Sequence, residues 1–75
     1  MGVLRVLGRL GDTEFKWNLE TGQGLQLVER IFEESTRKSH YLAFIEGPNG
    51  EGVERIRTFD PKIDSIILAP RLVGG

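Results

Sequence analysis

The sequence predicts an α+β fold in which one amphipathic helix packs across a mixed β-sheet. Apolar residues recur at helical spacing in a single stretch, 25–35, whereas the stretches before and after it alternate or are briefly apolar, as strands are. A lone amphipathic helix most economically buries its apolar stripe on one face of a sheet. The chain has 75 residues and no cysteine, so packing alone must hold this single small domain together.

The first two predicted strands form a hairpin. Residues 3–7 are rich in β-formers, and residues 8–12 carry the glycines and the aspartate of a turn. The second strand alternates, with Phe15, Trp17 and Leu19 on one face. We expect that face to point into the core.

The helix follows a connection that contains Gly22 and Gly24. These two glycines lack the third glycine and the lysine of a phosphate-binding loop, so we interpret the connection as flexible. The helix is expected to run for about a dozen residues. Thr21 is the predicted N-cap.

Three further strands complete the predicted sheet. Residues 41–46 and 65–69 are strongly apolar, whereas residues 53–59 carry the many charges of an edge strand. Pro70 has no amide hydrogen for a ladder, so pairing should stop there. We expect the first and last strands to pair in parallel at the centre. The predicted core comprises Leu4, Val6, Phe15, Trp17, Leu19, Val28, Ile31, Phe32, Phe44, Ile66 and Leu68.

The charge pattern excludes several classes of partner. Net charge is −1 with interspersed signs, which argues against nucleic acid and anionic membranes. No apolar run is long enough to span a bilayer, and the first ten residues do not form a signal peptide.

His40, the only histidine, has no cysteine or carboxylate cluster for a triad or a metal. We therefore expect a cytoplasmic monomer that is not an enzyme and binds no cofactor or metal.

The last five residues, Arg71-Leu72-Val73-Gly74-Gly75, are similar to the ubiquitin ending Arg-Leu-Arg-Gly-Gly. Phe44-Ile45-Glu46-Gly47 falls where ubiquitin has its Ile-Phe-Ala-Gly strand end, and Leu10 where ubiquitin has an exposed leucine. The chain thus resembles ubiquitin and the ubiquitin-like proteins. The resemblance implies a β-grasp domain over residues 1–70 and a flexible tail over residues 71–75.

The resemblance also implies a chemistry for the tail. In the family, an activating enzyme uses ATP and magnesium to adenylate the terminal carboxylate, here that of Gly75. Gly74 and Gly75 suit a narrow tunnel because neither has a side chain. Arg71, Leu72 and Val73 would be recognised by the activating enzyme. Val73 stands where ubiquitin has arginine, which argues against the eukaryotic enzymes of ubiquitin itself.

Three functions are left open by the resemblance. The first is a protein modifier, the function favoured here: Gly75 would pass through a conjugating enzyme to lysines of target proteins, with a deconjugating peptidase as a further partner, as in bacterial systems. As a sulfur carrier, similar to the molybdopterin synthase small subunit, Gly75 would become a thiocarboxylate. As a docking module, the domain would use no carboxylate chemistry.

Two further sets of residues follow from the same comparison. We expect a partner-binding patch on the exposed sheet face at Leu10, Ile45 and Ala69, with Ala43 as the alternative to Ile45 and Ile67 as the alternative to Ala69. Strand register decides this, because a slip of one residue reverses the faces. Side-chain amines that would accept a second copy are Lys16, Lys38 and Lys62.

Overall fold

The computed structural model of the chain describes residues 1–8 and 11–70, in which five strands and one helix form. None of the described residues belongs to a helix long and apolar enough to cross a membrane. The elements are β1 (Gly2–Gly8), β2 (Gly11–Trp17), α1 (Leu25–Arg37), β3 (Leu42–Glu46), β4 (Gly52–Ile56) and β5 (Ser65–Ala69).

The strands form one mixed sheet in the order β2-β1-β5-β3-β4. The central pair, β1 and β5, is parallel as predicted, and the other neighbouring strands are antiparallel. The predicted α+β class is confirmed, and the arrangement is compatible with a β-grasp fold. The charged strand β4 lies at an edge of the sheet, also as predicted.

The core lies between α1 and one face of the sheet. Six of the predicted core residues are fully buried there, and Val6, Phe15 and Ile31 pack against them half-buried. Helical spacing brings Val28 and Phe32 onto the same side of α1. The fully buried predicted residues are Leu4, Trp17, Val28, Phe32, Ile66 and Leu68.

Two predicted core residues were wrong. Leu19 is 47% exposed because β2 ends at Trp17, so the alternation that pointed Leu19 inwards does not continue. Phe44 lies on the face of the sheet opposite α1, since it aligns with Ile67, whereas Ala43 aligns with the core residue Leu68 and is buried.

The connection between β4 and β5 closes the core at one end. Phe59 was predicted in the edge strand, but β4 ends at Ile56 and the Phe59 ring packs on two core aromatics. Its centroid lies 5.3 Å from that of Trp17, nearly edge-on, and 5.7 Å from that of Phe32. The indole Nε1–H of Trp17 donates to the carbonyl oxygen of Pro61 at 3.1 Å.

The helix does not begin with a side-chain cap. Gly24 occupies the N-cap position in the left-handed conformation, with φ 77°. Thr21, the predicted N-cap, instead accepts a hydrogen bond at Oγ1 from the amide of Gln23. The loop before α1 is closed by Asn18, whose amide donates to the carbonyl oxygen of Gln23 and whose own carbonyl accepts from Gly22.

The chain leaves α1 through a left-handed residue, His40, with φ 57°. A side chain in this conformation is strained, and glycine is the residue that helix ends prefer there. We expect His40→Gly to raise the free energy of unfolding by about 0.5–1 kcal/mol. Chemical denaturation measures this change. His40→Ala keeps the strained backbone, so an equal gain from that variant would contradict the explanation.

Candidate functional site

The face of the sheet that points away from α1 carries a small apolar patch. Leu7, Phe44, Ile67 and Ala69, here called the outer patch, line a depression of about 250 Å³. The register explains the grouping, because Phe44 of β3 lies opposite Ile67 of β5. An apolar depression on a sheet face is a surface suited to contact with another protein.

The outer patch has a buried floor and an accessible rim. Ile67 is only 4% exposed even though it faces away from the core, because Arg5 of β1 and Phe44 of β3 flank it on the same face. Leu7, Phe44 and Ala69 are half-buried and form the rim. A partner would thus meet apolar side chains whose positions the central strands hold.

Gly52 fixes the position of the Phe44 ring. A Cβ atom at Gly52 would lie 2.9 Å from both Cβ and Cγ of Phe44, closer than real side chains approach one another. Glycine therefore lets β4 lie directly against the base of this ring. The register of β3 and β4 also shifts between Ile45 and Glu46, next to the same position.

A charged network lies beside the outer patch. Arg5 aligns with Ile67, and its Nη2 lies 3.2 Å from Oε2 of Glu46. The hydroxyl of Ser65 donates to Oε1 of the same carboxylate at 2.7 Å. Arg5 Nε lies 3.7 Å from Oδ2 of Asp12 and has no hydrogen-bond partner among the described residues, although it is buried. These groups give one side of the patch a polar border.

The strand that contributes most to the patch also leads to the tail. β5 ends at Ala69 on the rim, and Pro70 is exposed and outside the strand, as its lack of an amide hydrogen predicts. The predicted tail residues Arg71, Leu72, Val73, Gly74 and Gly75 lie outside the described residues. The chain thus enters the tail directly from the outer patch.

The predicted patch is only partly reproduced. Ala69 belongs to the outer patch, whereas Leu10 lies outside the described residues. Ile45 aligns with the core residue Ile66, so Ile45 and Ala69 lie on opposite faces of the sheet. Leu7, Phe44 and Ile67 take the place of Ile45 on the outer face.

Sequence reasoning missed Leu7 and Phe44 and gave Ile67 only as an alternative to Ala69, for a physical reason. The runs 42–45 and 66–69 are apolar on both faces, so alternation does not distinguish the two sides. The usable signal is Arg5, which marks the outer face of β1 and aligns with Ile67. Once β1 and β5 are placed in parallel, that charge identifies Ile67 as outward-facing.

The predicted acceptor lysines Lys16, Lys38 and Lys62 are all exposed. They lie in β2, at the C-terminal end of α1 and in the connection before β5, respectively. Their accessibility fits an acceptor role, which stays a prediction.

No metal-binding group of three or more histidine, cysteine or acidic side chains forms within residues 1–8 and 11–70. His40 is exposed at the end of α1. The outer patch, and the tail that follows it in the sequence, are the candidate functional features.

Comparisons with known proteins found no family model, no curated protein and no solved structure that matches this chain.

Proposed function

We propose that this chain is a ubiquitin-like protein modifier whose Gly75 carboxylate is joined to amines of target proteins. The observation that carries the proposal is the position of the outer patch at the point where the chain leaves β5 for its tail. From Ala69 to Gly75 is six residues, which span at most about 20 Å when extended. A partner docked on the patch would have the carboxylate within reach of its own active site.

The first proposed step takes place in the active site of the activating enzyme. The Gly75 carboxylate attacks the α-phosphorus of ATP, pyrophosphate leaves, and an acyl adenylate forms. A cysteine thiolate of the partner displaces AMP to give a thioester. A target lysine amine then attacks the carbonyl carbon, the thiolate leaves, and an isopeptide bond remains. ATP and magnesium belong to the activating enzyme, and a conjugating enzyme and a deconjugating peptidase complete the proposed set of partners.

In this chemistry, the chain contributes the residues that the enzyme recognises and a carboxylate that can enter the enzyme's active site. Gly74 and Gly75 present no side chain to the walls of a narrow channel. Arg71 supplies a fixed positive charge for acidic groups of the enzyme, and Leu72 an apolar contact next to it. The outer patch supplies the docking surface, with Phe44 as its aromatic contact.

The chemical state of Gly75 tests the proposal. We would purify the protein from its native host under denaturing, non-reducing conditions and analyse it by mass spectrometry. The expected result is Gly75 linked to lysines of other proteins, and deletion of Gly75 should abolish every such adduct. Gln26→Ala, a change at an exposed residue of α1, provides a control that leaves both the tail and the predicted acceptor lysines intact. A free carboxylate in all preparations would instead indicate a docking module.

A sulfur carrier is the second candidate. Pro70 and the apolar-Gly-Gly ending at Val73 favour it, because carriers of this kind often end in that way. In that case Gly75 would carry a terminal thiocarboxylate and no protein adducts would form. The same mass spectra distinguish the two functions.

The outer patch can be tested separately from the tail. We expect Phe44→Ala to reduce the yield of conjugates at least severalfold while the domain stays folded, because Phe44 lies outside the core. Val53→Ala is the matched control, since Val53 is an apolar residue of β4 that is 58% exposed and lies outside the patch. Conjugates in cells that express each variant give the measurement. An equal loss from both variants would argue against a specific role for the patch.

A further inference from the structure

Three arginines, one from α1 and two from β4 and the residue that follows it, line one cavity at an edge of the sheet. Arg37 ends α1, Arg55 lies in β4, and Arg57 follows β4 directly. With Thr36 and Tyr41 they line a cavity of about 210 Å³ that shares no residue with the outer patch. We call Arg37, Arg55 and Arg57 the arginine cluster.

The charges of this cluster are not compensated within the described part of the chain. The ion pairs found there join Arg5 to Asp12 and to Glu46, and none includes a member of the cluster. No carboxylate lines the cavity. The C-terminal end of α1 favours a cation at Arg37 but gives no reason for the other two arginines.

The physical cost of such a cluster indicates a ligand. Like charges around one cavity repel each other, and an anion between them would remove that repulsion. A guanidinium binds a carboxylate through two parallel hydrogen bonds, which gives geometry as well as charge. Since the whole chain carries a net charge of −1, any attraction for an anion arises locally at these arginines.

A second groove adjoins the cavity and indicates the shape of the ligand. It has a volume of about 350 Å³ and shares Arg37 and Arg57 with the first cavity. Phe59 contributes an apolar surface to this groove, and Glu29 and Glu33 also line it. An extended peptide would occupy both spaces, whereas a single small anion would occupy only one.

We propose that the arginine cluster binds an acidic segment of a partner protein, with an apolar residue of that segment on Phe59. Glu29 and Glu33 in the second groove repel a continuous polyanion such as a nucleic acid. The acidic residues of the bound segment must therefore lie at the arginine cluster and not along the whole groove. β4 is an edge strand, so its outer side is open to an incoming chain in the described structure. The proposal does not depend on the chemistry of Gly75.

The test uses the whole chain and a defined probe. The probe is a fluorescein-labelled synthetic peptide with a run of aspartates next to a short apolar segment, titrated at low salt by fluorescence anisotropy. We expect Arg55→Ala with Arg57→Ala to weaken binding about tenfold or more. Arg30→Ala, the same change at an exposed arginine of α1 outside the cavity, should change it less than about twofold. Added salt should weaken binding.

A measurement on the unaltered protein provides an independent check. Amide NMR shifts on addition of the peptide should concentrate in residues 36–37, 41–43 and 55–59. Shifts elsewhere, or an equal loss of affinity in the Arg30 variant, would overturn the proposal. Competition by inorganic pyrophosphate at the same concentration as the peptide would instead assign the cluster to a small anion. Tighter binding of a single-stranded oligonucleotide would also contradict it.

Discussion

Replacing Trp17 with alanine should lower the free energy of unfolding by about 3–5 kcal/mol. Trp17 is 1% exposed and is the largest side chain in the core. It packs edge-on against Phe59, and its indole donates to the carbonyl oxygen of Pro61. A domain of this size has a total stability at the lower end of about 5–15 kcal/mol, so most of it would be lost.

Trp17 also contacts β1, the N-terminal strand. A Cβ atom at Gly2 would overlap the six-membered ring of Trp17, so β1 lies directly against the indole. Removal of the indole therefore leaves a space between β1, α1 and the 57–64 connection, three parts of the chain that are distant in sequence. These parts have few means to close that space, which places the expected cost at the upper end of the range.

Denaturation followed by far-UV circular dichroism measures this effect, because the variant lacks the fluorophore. Trp17→Phe retains an aromatic ring but loses the hydrogen bond to Pro61, so an intermediate cost of about 1–3 kcal/mol is expected. Leu19→Ala is the control. Leu19 was predicted in the core but is exposed, and its loss should cost less than about 1 kcal/mol. A larger cost at Leu19 than at Trp17 would contradict this description of the core.

The order of strands and helix was predictable because each signal is local. Alternation around Phe15 and Trp17 identifies β2, and the helical spacing of Val28 and Phe32 identifies α1. Pro70 marks the end of β5 through its missing amide hydrogen. These patterns depend on neighbours within a few residues, so no knowledge of tertiary contacts is needed.

The faces of the central strands were not predictable in the same way. In β3 and β5 apolar side chains occupy both faces, so the composition of each run is the same whether Ile45 or Phe44 points outwards. A small residue, Ala43, fills the core position under α1, and the large aromatic ring of Phe44 lies outside. The prediction of Phe44 in the core therefore placed it on the wrong face.

The arginine cluster also depends on tertiary structure. In the sequence, Arg55 and Arg57 are typical of a charged edge strand, and Arg37 suits the end of a helix. Only the tertiary structure brings these three residues, which are distant or unremarkable in sequence, to the lining of one cavity. Because each arginine has a local explanation, the sequence alone does not indicate that the three line one cavity.

The connection before α1 also differs from its prediction. Gly22 and Gly24 were interpreted as a flexible linker, yet both adopt left-handed backbone conformations in a loop closed by hydrogen bonds. They differ in their surroundings. A Cβ atom at Gly24 would collide with the carbonyl oxygen of Lys16 and lie 3.4 Å from the Cα of Trp17, whereas Gly22 has open space.

Alanine substitutions at these two glycines distinguish the cost of the left-handed backbone conformation from the cost of a steric collision. Gly22→Ala should lower the free energy of unfolding by about 1–2 kcal/mol, the cost of a left-handed conformation for a residue with a side chain. Gly24→Ala should cost about 3 kcal/mol or more, because the collision adds to the same conformational cost. The atoms that it meets belong to the backbone of β2, which cannot rotate away as a side chain would.

Chemical denaturation of both variants, measured side by side, gives the difference directly. The collision also involves the backbone next to Trp17, so Gly24→Ala should change the fluorescence of Trp17 in the folded state while Gly22→Ala leaves it unchanged. Equal losses of stability in the two variants, with no change in fluorescence, would mean that the start of α1 does not press against β2. In that case the cost would lie in the backbone conformation alone, and the contact between β2 and the start of α1 would not help to position Trp17 in the core.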